Sequence, residues 1–336
     1  MLTMDVFKQD AFSAISLTEA VRRSQTIPGL LGTLGLFTPK PVRTRTVAVE
    51  VKGNTLNIIQ TSEPGAPRTR RANNKGDIRD LRVRRIEEAS TITAEQLQGI
   101  RAFGSETELK TLQKEVAERQ QDIIDDLSTT KERLYLSCID GVLRDADDTV
   151  IYDYYQTFGF SQPAEIDFNW SARTGCKKFV ANNVKRPILR ALGGVAPAGM
   201  RIMALCGDDF FDDLQENGEY RDTYKNTEKA SKLLEDTAFE SVEAWGVTWV
   251  NYRGTDDNSK VAIGVDKVKF IPVGVRNLFQ EAFAPAPTFG FVNTLGQEWY
   301  SRIVVDKDRE EWADVEIESH RLPICTRPEA LLQGNK

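Results

Sequence analysis

Histidine is almost absent: one residue, His320, in a chain of 336. A single imidazole excludes a multi-histidine metal site. It also leaves only one candidate base for a Ser-His-Asp triad. His320 precedes Arg321-Leu322-Pro323 with no activating partner beside it, so it reads as a structural or merely exposed residue. Cysteine is scarce too. Cys138, Cys176, Cys206 and Cys325 are widely spaced with no Cys-x-x-Cys pair, so all four are expected as small buried hydrophobes and not as zinc or redox ligands. Long apolar runs are missing. The longest, such as Ile27 to Phe37, is broken by glycine and falls far short of the roughly 20 residues a bilayer span needs, so no membrane partner is expected. Met1 to Asp10 carries acids and no apolar h-region, which reads as no signal peptide and folding in the cytosol. Positive charge is also in deficit. A formal net charge of -6 argues against the whole chain being a nucleic-acid binder, because that binding depends on phosphate neutralisation. There is no Walker A sequence, no Gly-rich dinucleotide fingerprint and no Gly-x-Ser-x-Gly elbow.

What remains is the composition of an ordinary soluble protein, 40% hydrophobic and 28% charged, long enough for two subdomains or one elongated domain. Leu17 to Arg23 is a short helix candidate. The glycine-interrupted Ile27 to Phe37 that follows makes a poor helix and a poor central strand. It reads as an extended arm whose leucines insert elsewhere, with another subunit as the candidate receiver. Val42 to Val51 alternates as a strand, Lys52-Gly53-Asn54 turns it, and Thr55 to Gln60 returns.

Thr61 to Asp77 has nothing to bury, and long structureless stretches in compact proteins are usually functional or mobile. A strand, Ile78 to Ile86, follows. Across residues 68–85 stand Arg68, Arg70, Arg71, Lys75, Arg79, Arg82, Arg84 and Arg85 against Asp77 and Asp80. That is a local balance of +6, which leaves -12 for the rest of the chain. A cationic segment on an acidic body suits attraction between subunits. The site residues expected from this are Arg68, Arg70, Arg71, Arg79, Arg82, Arg84 and Arg85, as inter-subunit contacts. The rival is a DNA-contacting loop, which the absence of any aromatic residue for stacking between Arg68 and Arg85 disfavours.

Ser105-Glu106-Thr107-Glu108 is a capping box that opens the strongest helix. Leu109, Leu112, Val116, Ile123, Leu127, Leu134, Cys138 and Val142 form one apolar stripe. Unbroken to Leu143, such a helix would span roughly 58 Å, with Ser128-Thr129-Thr130 its weakest point. Beyond Ser171 helices and strands alternate. Expected are a helix from Thr174 to Leu192 interrupted or kinked at Pro187, a buried strand Arg201 to Cys206 and a helix from Asp208. A helix Thr227 to Phe239 follows, then strands at Val247–Tyr252, Val261–Val265 and Val315–His320. The carboxylates Asp208, Asp209, Asp212 and Asp213 could face a cation. Acids in a helical first turn are favoured by the dipole alone, however, and no further ligand completes a site. Asp145-Ala146-Asp147-Asp148 lacks the spaced ligands and closing Glu of a calcium loop. No catalytic, metal or cofactor residue is assigned.

Several segments together resemble the lambda-type bacteriophage major capsid protein family, the phage major head protein E family. They are Met4 to Ser13, Arg101-Ala102-Phe103-Gly104-Ser105, Ala204 to Asp212, Asn293-Thr294-Leu295-Gly296 and Leu322 to Leu332, in order over nearly the full chain. The resemblance implies an α+β fold, the tailed-phage/herpesvirus major capsid protein fold (Hong Kong phage-type). Its parts would be an N-terminal arm at 1–40, an extended loop at 41–90, a peripheral domain at 91–172 and 286–336 with spine helix 105–143, and an axial domain at 173–285. It further implies a non-enzymatic head protein without cofactors that self-assembles into hexamers and pentamers of an icosahedral shell. The partners implied are a separate scaffolding protein, a portal, a decoration protein as a further candidate, and packaged DNA met without sequence specificity. Localisation would be the virion, after synthesis in the host cytoplasm. The alternative is a DNA-binding phage accessory protein acting through residues 68–85.

Overall fold

The structure, a computed structural model, describes residues 10–23, 29–51, 77–98, 105–193, 196–225, 241–252 and 261–336. The chain divides into two compact units. Unit 1 holds Met1–Val47, Asp80–Glu132 and Gln280–Ile324; unit 2 holds Ala48–Arg79, Arg133–Phe279 and Cys325–Lys336.

Unit 1 is built around the strand β14 (Trp312–Cys325). It lies in a sheet ordered β1 (Thr38–Pro41), β12 (Phe279–Phe283), β14, β13 (Tyr300–Val305), with β4 (Arg84–Thr93) also paired to β14. Val315 and Ile317 of β14 are completely buried. Val315 packs with Phe12, Leu17, Ile92, Leu112 and Val116, and Ile317 with Val21, Ile123, Ile124, Leu127 and Trp299. The core is therefore filled by one face of the long helix Ser105–Ile139 and by the short helix Ala14–Arg23. Hydrogen bonds fix their register. Ser301 N–H donates to Thr18 Oγ1 (3.1 Å), and Gln120 Nε2 donates to Ser301 Oγ (2.8 Å).

The arm expectation needs correction. Its glycine-rich part is not extended: Leu30–Thr33 forms a single helical turn, and Leu31 is fully buried within its own unit. No side chain of the arm caps this turn. Glu132 does so instead, accepting from Leu31 N–H (2.9 Å) and Gly32 N–H (3.3 Å). Gly29 is required there, because a Cβ would sit 2.2 Å from Glu132 Cδ.

The long helix starts at Ser105, where the capping box predicts, although the side chains of residues 105–111 lie outside the description. It ends at Ile139, not Leu143, which makes 35 residues. Val142 fits the helical period, yet Gly141 adopts a left-handed φ of 77°, and Val142–Arg144 turns into the strand β5 paired with β6 (Val150–Asp153). Ser128-Thr129-Thr130 does not interrupt the helix. Thr129 and Thr130 hydroxyls each donate to the carbonyl four residues back, which relieves their competition with the backbone.

Unit 2 carries a six-stranded sheet, in the order β7 (Ile166–Asp167), β15 (Leu332–Asn335), β11 (Lys267–Val273), β8 (Arg201–Cys206), β10 (Val247–Asn251), β9 (Ser241–Ala244). Its core is aromatic: Phe168 lies 5.0–6.2 Å, centroid to centroid, from Trp170, Phe210, Trp249 and Phe270. Pro187 does not interrupt the helical run of Cys176–Leu192. One wider, π-type turn at Ala181–Lys185 precedes it and absorbs the missing N–H donor. Val261–Val265 is not a strand. Val265 O accepts from Phe210 N–H (3.0 Å), so this segment caps the start of the helix Asp208–Glu216. The remaining strands, β2 (Thr46–Val51) and β3 (Asp77–Arg82), pair with each other. A return strand at Thr55–Gln60 and a helix at Thr227–Phe239 fall outside the described residues.

Candidate assembly surface

The basic segment was the main candidate. Arg68, Arg70 and Arg71 lie outside the described residues, as does Lys75. The other four fall on two successive strands, Arg79 and Arg82 on β3, Arg84 and Arg85 on β4. Leu81 and Val83 are buried, while Arg79, Arg82, Arg84 and Arg85 are exposed; strand alternation accounts for Arg82 and Arg84, whereas Arg79 and Arg85 share the parity of the buried pair.

Arg85 has a second role inside unit 1. In the β4–β14 pairing it stands opposite His320, and Glu87 stands opposite Glu318. Arg85 is ion-paired with Glu87 and lies 3.7 Å from Glu318. Like carboxylates facing across a ladder repel; here Arg85 sits between them. On the other edge of β14, Arg302 of β13 pairs with Glu316. His320 is buried, with Nε2 3.3 Å from Glu318 Oε2, so of the two expectations the structural one holds. Burial alone would raise the Glu318 carboxyl. His320, Arg302 and Arg85 outweigh it and hold the group below the ordinary glutamate range.

Sequence reasoning missed the strongest buried charge, Arg321. Its guanidinium is fully buried, 3.1 Å from Glu281 and 3.5 Å from Glu298, with its carbon 4.3 Å over the Trp299 ring. Its Nε donates to Ser319 Oγ (2.9 Å). Glu298 also takes Lys131 of the long helix at 2.6 Å. Burial opposes ionisation of Glu298, yet Arg321 and Lys131 together hold its carboxyl low. Val315–His320 reads in the sequence as an alternating strand. β14 is instead central and covered on both faces, so even its polar residues from Glu318 to Arg321 are buried.

Of the four helix acids, two have structural partners. Asp208 accepts from Asn251 Nδ2 (2.9 Å), and Asp213 pairs with Lys336 (3.0 Å). Asp145–Asp148 makes the β5–β6 turn, where Asp147 accepts from Thr149 N–H and Asp148 pairs with Arg133. Among the described residues no three His, Cys, Asp or Glu side chains are grouped to hold a metal ion. All four cysteines are buried thiols. Burial pushes the Cys325 thiol up to about 12 and Cys176, also near Glu219, up to about 11, which suppresses the thiolate a nucleophile needs. No described helix is long and apolar enough to cross a membrane.

Comparison with known proteins adds an independent line. The family model described as "Phage major capsid protein E" matches residues 13–336. The major capsid protein of Salmonella phage Felix O1 is 26% identical, over 97% of this chain and 96% of that protein. The major capsid protein of Pseudomonas phage KPP10 is 23% identical over 97% of each chain. Among solved structures, a protein described as a prophage capsid protein (E. coli CFT073) superposes with a TM-score of 0.58 at 12% identity, covering 96% of this chain and 98% of that one. The mature capsid of bacteriophage PhiM1 gives 0.52 at 10% identity, covering 93% and 88%. These low identities speak to the fold, which is that of phage capsid proteins.

Proposed function

The chain belongs to the phage major capsid protein E family, and from that premise we propose how its parts serve a shell. As a phage major capsid protein it assembles with copies of itself into the capsid, and its place is the virion. In the finer reading the copies form hexamers and pentamers of an icosahedral shell around the genome, on a separate scaffolding protein. A portal, a decoration protein and packaged DNA complete the partners, synthesis is in the host cytoplasm, and the subunit catalyses nothing. Partnered acids and high thiol pKa values support that last point. The proposed parts are an arm at 1–40, an extended loop at 41–90, a peripheral domain at 91–172 and 286–336, and an axial domain at 173–285. The compact units group residues 133–172 and 325–336 with most of the axial segment. Nothing in the fold favours a DNA-binding accessory protein acting through residues 68–85.

Inter-subunit contact through Arg68, Arg70, Arg71, Arg79, Arg82, Arg84 and Arg85 is the working mechanism. The observation that carries it is the exposure of Arg82 and Arg84 on a chain that is otherwise acidic. Arg85 is tied to Glu87 and Glu318, so a clean test leaves it alone. Reversal of Arg82→Glu with Arg84→Glu should leave a soluble subunit with wild-type melting that no longer forms shells in negative-stain micrographs. Normal shells from the double variant would end this assignment.

A further inference from the structure

Residues 168–207 hold seven cations and no acid, in a chain with 50 acidic residues. Five of the cations, Lys177, Lys178, Lys185, Arg186 and Arg190, lie on the Cys176–Leu192 helix. Its buried side is a strict four-residue repeat: Cys176, Val180, Val184, Ile188 and Leu192 are all completely buried. A pure α-helix would let that stripe drift, since it has 3.6 residues per turn. The π-type turn at Ala181–Lys185, with more residues per turn, takes back part of that drift. Two residues on, and so on the opposite side, runs a second four-residue repeat of exposed residues: Lys178, Asn182, Arg186 and Arg190. Lys177 is exposed beside it, and Arg186 is steadied by a hydrogen bond to Asn182.

None of these five cations has a carboxylate partner among the described residues. Helix electrostatics do not account for them. Arg186 and Arg190 suit the C-terminal end, but Lys177 and Lys178 stand in the first turn, against the dipole. The carboxylate that the N-terminus calls for is Glu219, which accepts from Gly175 and Cys176 N–H. From Lys178 to Arg190 the row is ~18 Å long, over which one strand of a DNA duplex presents ~5 phosphates.

We propose that this helix face is a binding surface for the phosphate backbone of packaged double-stranded DNA. It rests on the capsid reading, which puts the genome inside the shell as the polyanion at hand. Backbone contact through lysine, arginine and an amide, with no aromatic side chain in the exposed row, gives attachment without sequence selection.

The test uses the full chain as unassembled subunits, titrated against a short DNA duplex by fluorescence anisotropy from about 50 to 200 mM salt. Lys178→Gln, Arg186→Gln and Arg190→Gln are combined in one variant, with Arg82→Gln and Arg84→Gln as a second charge-removal control. Each phosphate contact contributes about 0.9 to the slope of log K against log salt, so the triple variant should be flatter by about 2.7. The control should keep the wild-type slope. An unchanged slope in the triple variant, an equal loss in the control, or no wild-type binding at about 50 mM salt would overturn the proposal. So would a triple variant that binds DNA normally but no longer assembles with its scaffold, which would assign the surface to an acidic protein. Absence of wild-type shells in micrographs would defeat the capsid reading instead, independently of the slopes.

Discussion

Glu132→Ala should release the Leu30–Thr33 turn from the long helix. The side chain is buried and accepts two backbone N–H groups, Leu31 at 2.9 Å and Gly32 at 3.3 Å, which nothing in the turn itself caps. Hydrogen bonds to a charged acceptor contribute about 1.5–3 kcal/mol each. The longer bond to a partly exposed donor deserves the low end, so the variant should lose about 3–4 kcal/mol. At about 2–4 °C per kcal/mol for folding units of 150–250 residues, the unit 1 melting transition should fall by about 6–16 °C. Gly29→Ala attacks the same contact from the other side, since its Cβ would lie 2.2 Å from Cδ and 2.4 Å from Oε2 of Glu132. In the double variant that clash vanishes, so the two losses should fall short of adding by more than about 1 kcal/mol. Scanning calorimetry of unassembled subunits reads all three variants. A loss below about 1 kcal/mol for Glu132→Ala, or strict additivity, would refute the docked turn.

Arg321→Met should cost about 3–5 kcal/mol, because it leaves Glu281 buried beside no guanidinium; a wild-type thermal midpoint would contradict the network. Stability should also fall in acid. Glu298 and Glu318 have carboxyls held low when folded, so their contribution is complete above about pH 4.3 and disappears as pH drops through the folded values. Glu88, raised by burial and by Asp126, works in the opposite sense. Melting curves from pH 6 to 3 should be steeper for the wild type than for Glu318→Gln, and parallel curves would rule out the Glu318 assignment.

The elements legible in the sequence are those whose signals are local. Ser105 opens its helix where the capping box stands, and Arg201–Cys206 is the strand that its apolar run indicates. Where a distant partner decides, local pattern misleads. The pairing of β2 with β3, whose first residue is Asp77, has no local signal, and the return strand that Lys52-Gly53-Asn54 suggests lies outside the described residues. Val142 keeps the helical period but follows a glycine in the left-handed region. Arg321 shows no local signal, because its burial comes from Glu281, 40 positions earlier, and from Trp299. The acid-free stretch of 168–207 was plain in composition, but the helical row of cations needs the π-type turn to be seen. Of the basic segment, alternation accounts for the exposure of Arg82 and Arg84, while the ties of Arg85 required the β4–β14 register.

The position of β14 and β15 late in the chain bears on the order of synthesis. β14 is the central strand of one sheet, and β15 stands between β7 and β11 in the other. A nascent chain lacking residues 312–335 therefore has two open sheets: β4, β12 and β13 without the strand that joins them, and β11 with a bare edge. Neither sheet can be completed before residues 312–335 have been made. A chain that stops before residue 312 is thereby left with exposed strand edges open to pairing with other chains.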